Sequence, residues 1–98
     1  MNIAEEAQSI VCGERNAAYG NPIDDYTKTA KMWSGILAPK LKEDITPEEA
    51  IAMMVCVKLS REVHSPKRDN RVDAIGYLLC LDWATTGIKP DEKENHTS

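Results

Sequence analysis

Lys58 and Glu62 stand four residues apart, as do Asp69 and Asp73, and residues at that spacing share one helix face. Tyr77 follows Asp73 one turn further along the same face. Between the two pairs runs Ser65-Pro66-Lys67-Arg68, a connector short enough to make the flanking helices antiparallel neighbours. Glu62, Asp69 and Asp73 would then face one another. Three such carboxylates suit Mg²⁺, which takes a few protein oxygens and fills its shell with water and phosphate. Lys58, Arg61, Lys67, Arg68 and Arg71 place five of the twelve Lys and Arg residues within fourteen positions, with His64 among them. Guanidinium forks match phosphate oxygens in pairs. The chemistry available to this set is recognition of a phosphorylated small molecule, with Mg²⁺ as the cofactor its acids could hold.

Each residue also has a plain structural reading. Asp69 or Asn70 can cap a helix, with Asp73 as the N3 partner of Asn70. Glu62 and Lys58 can form a surface pair worth about 0.3–0.5 kcal/mol, and His64 can complement a helix end. A second candidate precedes them, from Glu14-Arg15 to Tyr19-Gly20-Asn21-Pro22. There Arg15 could meet phosphate, and Tyr19 could stack on a base. Its structural alternative is a turn with a packed tyrosine. No Ser-His-Asp arrangement, Walker loop or dinucleotide fingerprint is present, and no catalytic residue is assigned.

The elements that must position these groups read as four helices. Ile3, Ala7, Ile10 and Val11 recur at helical spacing, and Gly13 is expected to close that first helix, leaving residues 14–20 as a connector. Asn21-Pro22 opens a second helix with a capping residue and a proline at its first position. Its apolar stripe runs Ile23, Tyr26, Ala30, Trp33 and Leu37. Thr46-Pro47-Glu48-Glu49 is a capping box for a third helix, apolar at every position from Ala50 to Val57. A fourth is expected from Asp69 or Asn70 to Gly87, with Val72, Ile75, Leu79 and Trp83 facing inward and Gly76 allowing close approach of a neighbour. Trp33 and Trp83 fall on apolar stripes and read as core.

The fold class is therefore all-α, a small bundle of about four helices in a single domain over residues 1–87. Residues 88–98 read as a polar, disordered tail. In a chain of 98 residues the core is thin, and the apolar run of the third helix wants more cover than three neighbours supply, so a homo-oligomer is expected. Apolar residues at 42%, charged residues at 29% and no long apolar run fit a soluble protein. Acid at the N-terminus, where a secretory leader carries base, gives a cytoplasmic location. A net charge of −4 argues against polymeric nucleic acid as a partner, and the lack of a long apolar run argues against a membrane. Cys12, Cys56 and Cys80 form no C-x-x-C pair and read as buried reduced thiols.

The pattern Glu14-Arg15…Tyr19-Gly20-x-Pro22, then Trp33, Thr46-Pro47-Glu48, Met53-Met54, Lys58-Leu59-x-Arg61-Glu62 and Pro66-Lys67-Arg68-Asp69-Asn70-x-Val72-Asp73-x-x-Gly76-Tyr77 closely resembles a family of small phage and prophage proteins of unassigned function. From Lys58 to Leu81 the chain more distantly resembles the MazG-like all-α nucleoside triphosphate pyrophosphohydrolases. That resemblance implies an E-x-x-E and an E-x-x-D on successive helices, holding Mg²⁺ against a triphosphate. Glu62 and Asp73 fit, but Ser65 and Asn70 stand at two of the four acidic positions, with Asp69 beside the latter.

Three readings stay open. The first is a phage-type binder of a phosphorylated nucleotide, sequestering a host defence signal through Arg15, Tyr19, Lys58, Arg61, His64, Lys67, Arg68, Arg71 and Tyr77. The second is a Mg²⁺-dependent pyrophosphohydrolase with Glu62, Asp69 and Asp73 on the metal. The third is a helical module that binds a host protein.

Overall fold

The computed structural model describes residues 1–92. Its helices are α1 (Ile3–Ile10), a π-helical turn (Val11–Arg15), α2 (Asn16–Tyr19), α3 (Pro22–Leu37), a short 3₁₀ turn (Ala38–Lys40), α4 (Pro47–His64) and α5 (Arg68–Thr86), with no strand among the described residues. The first three run on without a break, so the molecule is a bundle of four helical rods, as the periodicity predicts.

Local chemistry sets most of the ends. Asn2 and Glu5 form a reciprocal capping box on α1. Asn21 accepts from the Ile23 N–H, with Pro22 at the first turn of α3. Thr46 and Glu49 cap α4 in the same reciprocal way. Caps of this kind are each worth about 1 kcal/mol.

The first rod does not end at Gly13. Backbone dihedrals stay right-handed helical through the residues flanking the π turn, and the chain breaks only at Gly20, where φ is +71°. A glycine inside a helix costs about 1 kcal/mol, which is less than the burial gained by keeping the rod whole. Val11 is buried to 2% exposure, and Arg15 is drawn in behind it. The connector expected over residues 14–20 is thus mostly helix.

α5 begins at Arg68, one or two residues before the expected start, and Lys67 precedes it without any side-chain cap. Asn70 does not cap because its amide turns to Glu62 and to the Ser65 carbonyl.

Val11, Tyr26, Ala30, Ala50, Ile51, Cys80 and Trp83 form the core, with Trp33, Met54, Tyr77 and Leu79 packed against it. α4 and α5 make the most extensive helix pair, with α1 laid on α5 and α3 on α4. Gly76 lets the π-helical turn approach: a Cβ there would sit 3.5 Å from the Val11 side chain. Of the cysteines only Cys80 is buried; Cys12 is half-buried and Cys56 exposed, because Cys56 lies on the side of α4 away from the core.

Residues 88–92 form a turn in which Glu92 N–H donates to the Lys89 carbonyl and Lys89 pairs with Asp91 at 3.7 Å. The rest of the expected tail, residues 93–98, lies outside the described residues. No helix among the described residues is long and apolar enough to cross a membrane.

Candidate functional site

The α4–α5 connector is held by one carboxylate. Glu62 accepts from the Lys67 backbone N–H at 2.8 Å, from the Arg71 guanidinium, and from the Asn70 amide at 3.4 Å. The Lys67 N–H above all, helped by Arg71 and Asn70, holds this carboxyl below the usual glutamate range. A depressed folded value means that the clamp stabilises the native state above the ordinary glutamate pKa and is lost as pH falls through the lowered one. Melting temperature measured against pH should therefore fall more steeply on acidification in the native protein than in Glu62→Gln. Parallel curves would show the clamp to be idle.

Beside that clamp, α4 and the connector enclose a basin of about 410 Å³ lined by Ser60, Arg61, His64, Ser65, Lys67 and Asn70. Its lining holds two cationic side chains, an imidazole, two hydroxyls and an amide, and no carboxylate. The side chains of Arg61, His64 and Lys67 make no ion pair among the described residues. The four remaining cationic residues of the expected set are all engaged by acids. Arg15 pairs with Asp25 at 2.8 Å, Lys58 with Asp73 at 2.9 Å, Arg68 with Glu6 at 2.7 Å, and Arg71 with Glu62.

A second depression, a cleft of about 130 Å³, is lined by Val11, Arg15, Asp73, Gly76, Tyr77 and Cys80. The Arg15 guanidinium lies over two rings here, 5.3 Å from the centroid of Tyr19 and 5.5 Å from that of Tyr26. Tyr26 meets Tyr77 edge-on at 6.3 Å and 80°. Tyr19 is 63% exposed and can offer its free face to a planar ligand. Burial raises the Tyr26 phenol far above its usual range, and it raises the Cys80 thiol despite the nearby Arg15 charge. Both stay protonated at neutral pH, so neither supplies a phenolate or a thiolate; the charged groups of the cleft are Arg15 and Asp73, each paired with an opposite charge.

One α5 face joins the two depressions. Asn70 lines the basin, while Asp73 and Tyr77 line the cleft, and the spacing from Asn70 to Tyr77 carries them roughly 10 Å along the helix. Gly76→Ala probes the cleft end. An added Cβ at 3.5 Å from Val11 is an ordinary contact, so exchanging a mid-helix glycine should stabilise the fold by about 0.5–1 kcal/mol while narrowing the cleft. A raised urea midpoint for Gly76→Ala is the expected result.

The acids and arginines expected to share one pocket are divided between several places. Glu62 clamps the connector, Asp73 faces the cleft, and Asp69 is exposed with no described partner. Arg68 leaves the region for α1, where it also reaches the Met1 carbonyl at 3.1 Å. No group of three His, Cys, Asp or Glu side chains among the described residues could hold a metal ion, so the Glu62, Asp69 and Asp73 triad is not assembled.

A model for a family described as a domain of unknown function (DUF6378) matches residues 2–84. The chain belongs to the DUF6378 family. It is also similar to the Gene 55 protein of Mycobacterium phage D29, 32% identical over 82 residues, and to that of Mycobacterium phage L5, 31% identical over 83. These matches cover 83% and 84% of this chain but 52% and 51% of the phage proteins, so the chain spans about half the length of the curated relatives it matches. No solved structure matches. The kinship with phage proteins expected from the Glu14-Arg15 to Tyr77 pattern is found, and the matched span takes in both the basin and the cleft.

Sequence reasoning missed four contributors to this DUF6378 site. Asp25 carries no signal in the sequence and Tyr26 reads only as part of the α3 apolar stripe, yet they hold and cover Arg15. Ser60 and Ser65 went unremarked as lining groups, although each adjoins an expected basic ligand or the connector.

Proposed function

We propose that this DUF6378 protein binds a phosphorylated nucleotide, with its phosphates in the Arg61–His64–Lys67 basin and its base toward the cleft lined by Arg15 and Tyr77, with Tyr19 on the far side of the Arg15 guanidinium. The observation that carries the reading is the convergence of three cationic or proton-binding side chains, none paired with an acid among the described residues, on one basin free of carboxylates. Its volume falls within the roughly 300–1,000 Å³ usual for small-molecule sites. An aromatic cleft lies about 10 Å along the same α5 face, a separation that suits a base joined to phosphates better than a lone phosphate ion.

Binding is favoured over hydrolysis. Metal-assisted attack on a phosphoryl group needs a cation that is itself well held. Here Glu62 and Asp73 are both engaged by cations, and Asp69 stands apart. A protein that holds a nucleotide without turning it over can withdraw a signal from its receptor. The likeness to mycobacteriophage proteins makes a host defence nucleotide the natural target of such a protein.

Calorimetric titration with nucleoside mono-, di- and triphosphates, and with inorganic phosphate as reference, tests the proposal. At least one nucleotide should bind more tightly than phosphate and be recovered chemically intact. Release of pyrophosphate in the presence of Mg²⁺ would establish the hydrolase reading in its place. Equal, weak affinity for every anion would remove the nucleotide altogether.

A further inference from the structure

α4 is apolar on two opposite sides. Toward the core it sends Ala50, Ile51 and Met54. On the other side Ala52, Cys56, Leu59 and Val63 recur at steps of four, three and four, and all are exposed, Leu59 to 53% and Val63 to 86%. That spacing is the seam along which two helices interlock side chains. Met53 widens the strip at its edge, 43% exposed. The helix is also polar in the electrostatic sense. Glu48 and Glu49 occupy its first turn, with Glu43 and Asp44 just before, whereas Arg61 and His64 occupy its last, with Lys67 just after.

We propose that the seam is occupied by a second copy of this chain, with α4 running antiparallel to its counterpart about a two-fold axis between Cys56 and Leu59. Three features select this occupant and this direction. First, the seam complements itself in size: antiparallel pairing sets Ala52 against the partner's Val63 and Cys56 against the partner's Leu59, small against large at each level. Parallel pairing would set Val63 on Val63 and leave a gap at Ala52. Second, antiparallel pairing sets the acidic start of one helix level with the basic end of the other, a complement of the ends felt at a distance because Arg61 and His64 point away from the seam, whereas parallel pairing would set like charges level. Third, a two-fold interface needs a single self-complementary patch, and one stripe on one helix supplies it. His64 and Arg61 lie more than about 100° around the helix from the seam, so the docked copy leaves the basin open. The inference does not depend on nucleotide binding.

The contact is short. From Ala52 to Val63 the seam covers roughly 17 Å, small beside a standard interface of about 1,600 Å², so a concentration-dependent dimer of micromolar strength is expected. Sedimentation equilibrium of the full chain from roughly 1 µM to 1 mM should show the mass rising from 10.9 kDa toward twice that value. Val63→Glu changes a side chain that touches little within its own subunit, and it should remain at one-chain mass with unchanged helicity. For direction, Leu59→Cys under mild oxidation should link to Cys56 of the partner subunit faster than the native chain links through Cys56 alone. The proposal is overturned by a native chain that stays monomeric at the highest concentration, since the stripe would then belong to a different partner. It is equally overturned by a dimer that survives Val63→Glu, or by native Cys56 linking at least as fast as the Leu59→Cys variant.

Discussion

Nucleotide affinity should fall by at least about 100-fold when Arg61→Ala and Lys67→Ala are combined. Each side chain faces the basin without an acidic partner among the described residues. Each can therefore give a phosphate a charge-assisted hydrogen bond without first breaking an ion pair. Such bonds contribute about 1.5–3 kcal/mol apiece, and losing two corresponds to roughly 100- to 10,000-fold in dissociation constant. Both residues are exposed and outside the core, so the melting temperature should scarcely move, which separates lost binding from lost folding. Arg68→Ala is the matched control. It removes a cation from the same stretch of sequence, but one held by Glu6 and the Met1 carbonyl, and its affinity should equal that of the native protein. If calorimetry shows the double variant binding normally while Arg15→Ala does not, the phosphates lie in the cleft and the basin assignment is wrong.

Trp83→Ala is expected to cost about 3–5 kcal/mol of folding stability, in line with other large-to-small changes in cores. Trp83 is 6% exposed in the cluster that ties α5 to the π-helical turn, α3 and α4. Domains of this size have about 5–15 kcal/mol in total, and a thin core places this one toward the lower end. The variant should therefore show an unfolded fraction before denaturant is added. Trp33, on an α3 stripe but only half-buried, should cost less when truncated in the same way. A urea midpoint for Trp83→Ala close to that of the native protein would mean that α5 is not seated as described.

The sequence was most informative where structure is decided by neighbours in the chain. Asn21-Pro22 and Thr46-Pro47-Glu48-Glu49 announce α3 and α4 because their caps are contacts over two or three residues. The end of the first rod was not legible, because Gly13 reads as a stop when its local cost is considered alone. The pull that overrides it, burial of Val11 and Arg15 against other helices, is tertiary. The apolar run of α4 announces a covered helix without saying which side is covered; Ala52, Met53 and Cys56 within it are exposed.

The same limit applied to the site. Spacing put Arg61, Lys67, Arg68 and Arg71 in one basic cluster. Pairing across the fold then sorted them, taking Arg68 to Glu6 and Arg71 to Glu62 and leaving Arg61 and Lys67 available. Long-range partners such as Asp25 for Arg15 have no periodic signature. Glu62 and Asp73, expected as metal ligands, each pair with a cation of their own protein.

The π-helical turn at Val11–Arg15 carries one residue more than an α-helical path between the same ends would need. That surplus sets the phase of everything downstream. Without it, Arg15 and Tyr19 would be wound back by about 100°, the guanidinium would slide off its aromatic shelf, and α1 could stay bedded on α5. The arm that frames the cleft is thus indexed by a local slip in winding, so a change there would re-aim Arg15 and Tyr19 while the arrangement of Arg61, His64 and Lys67 stays as it is.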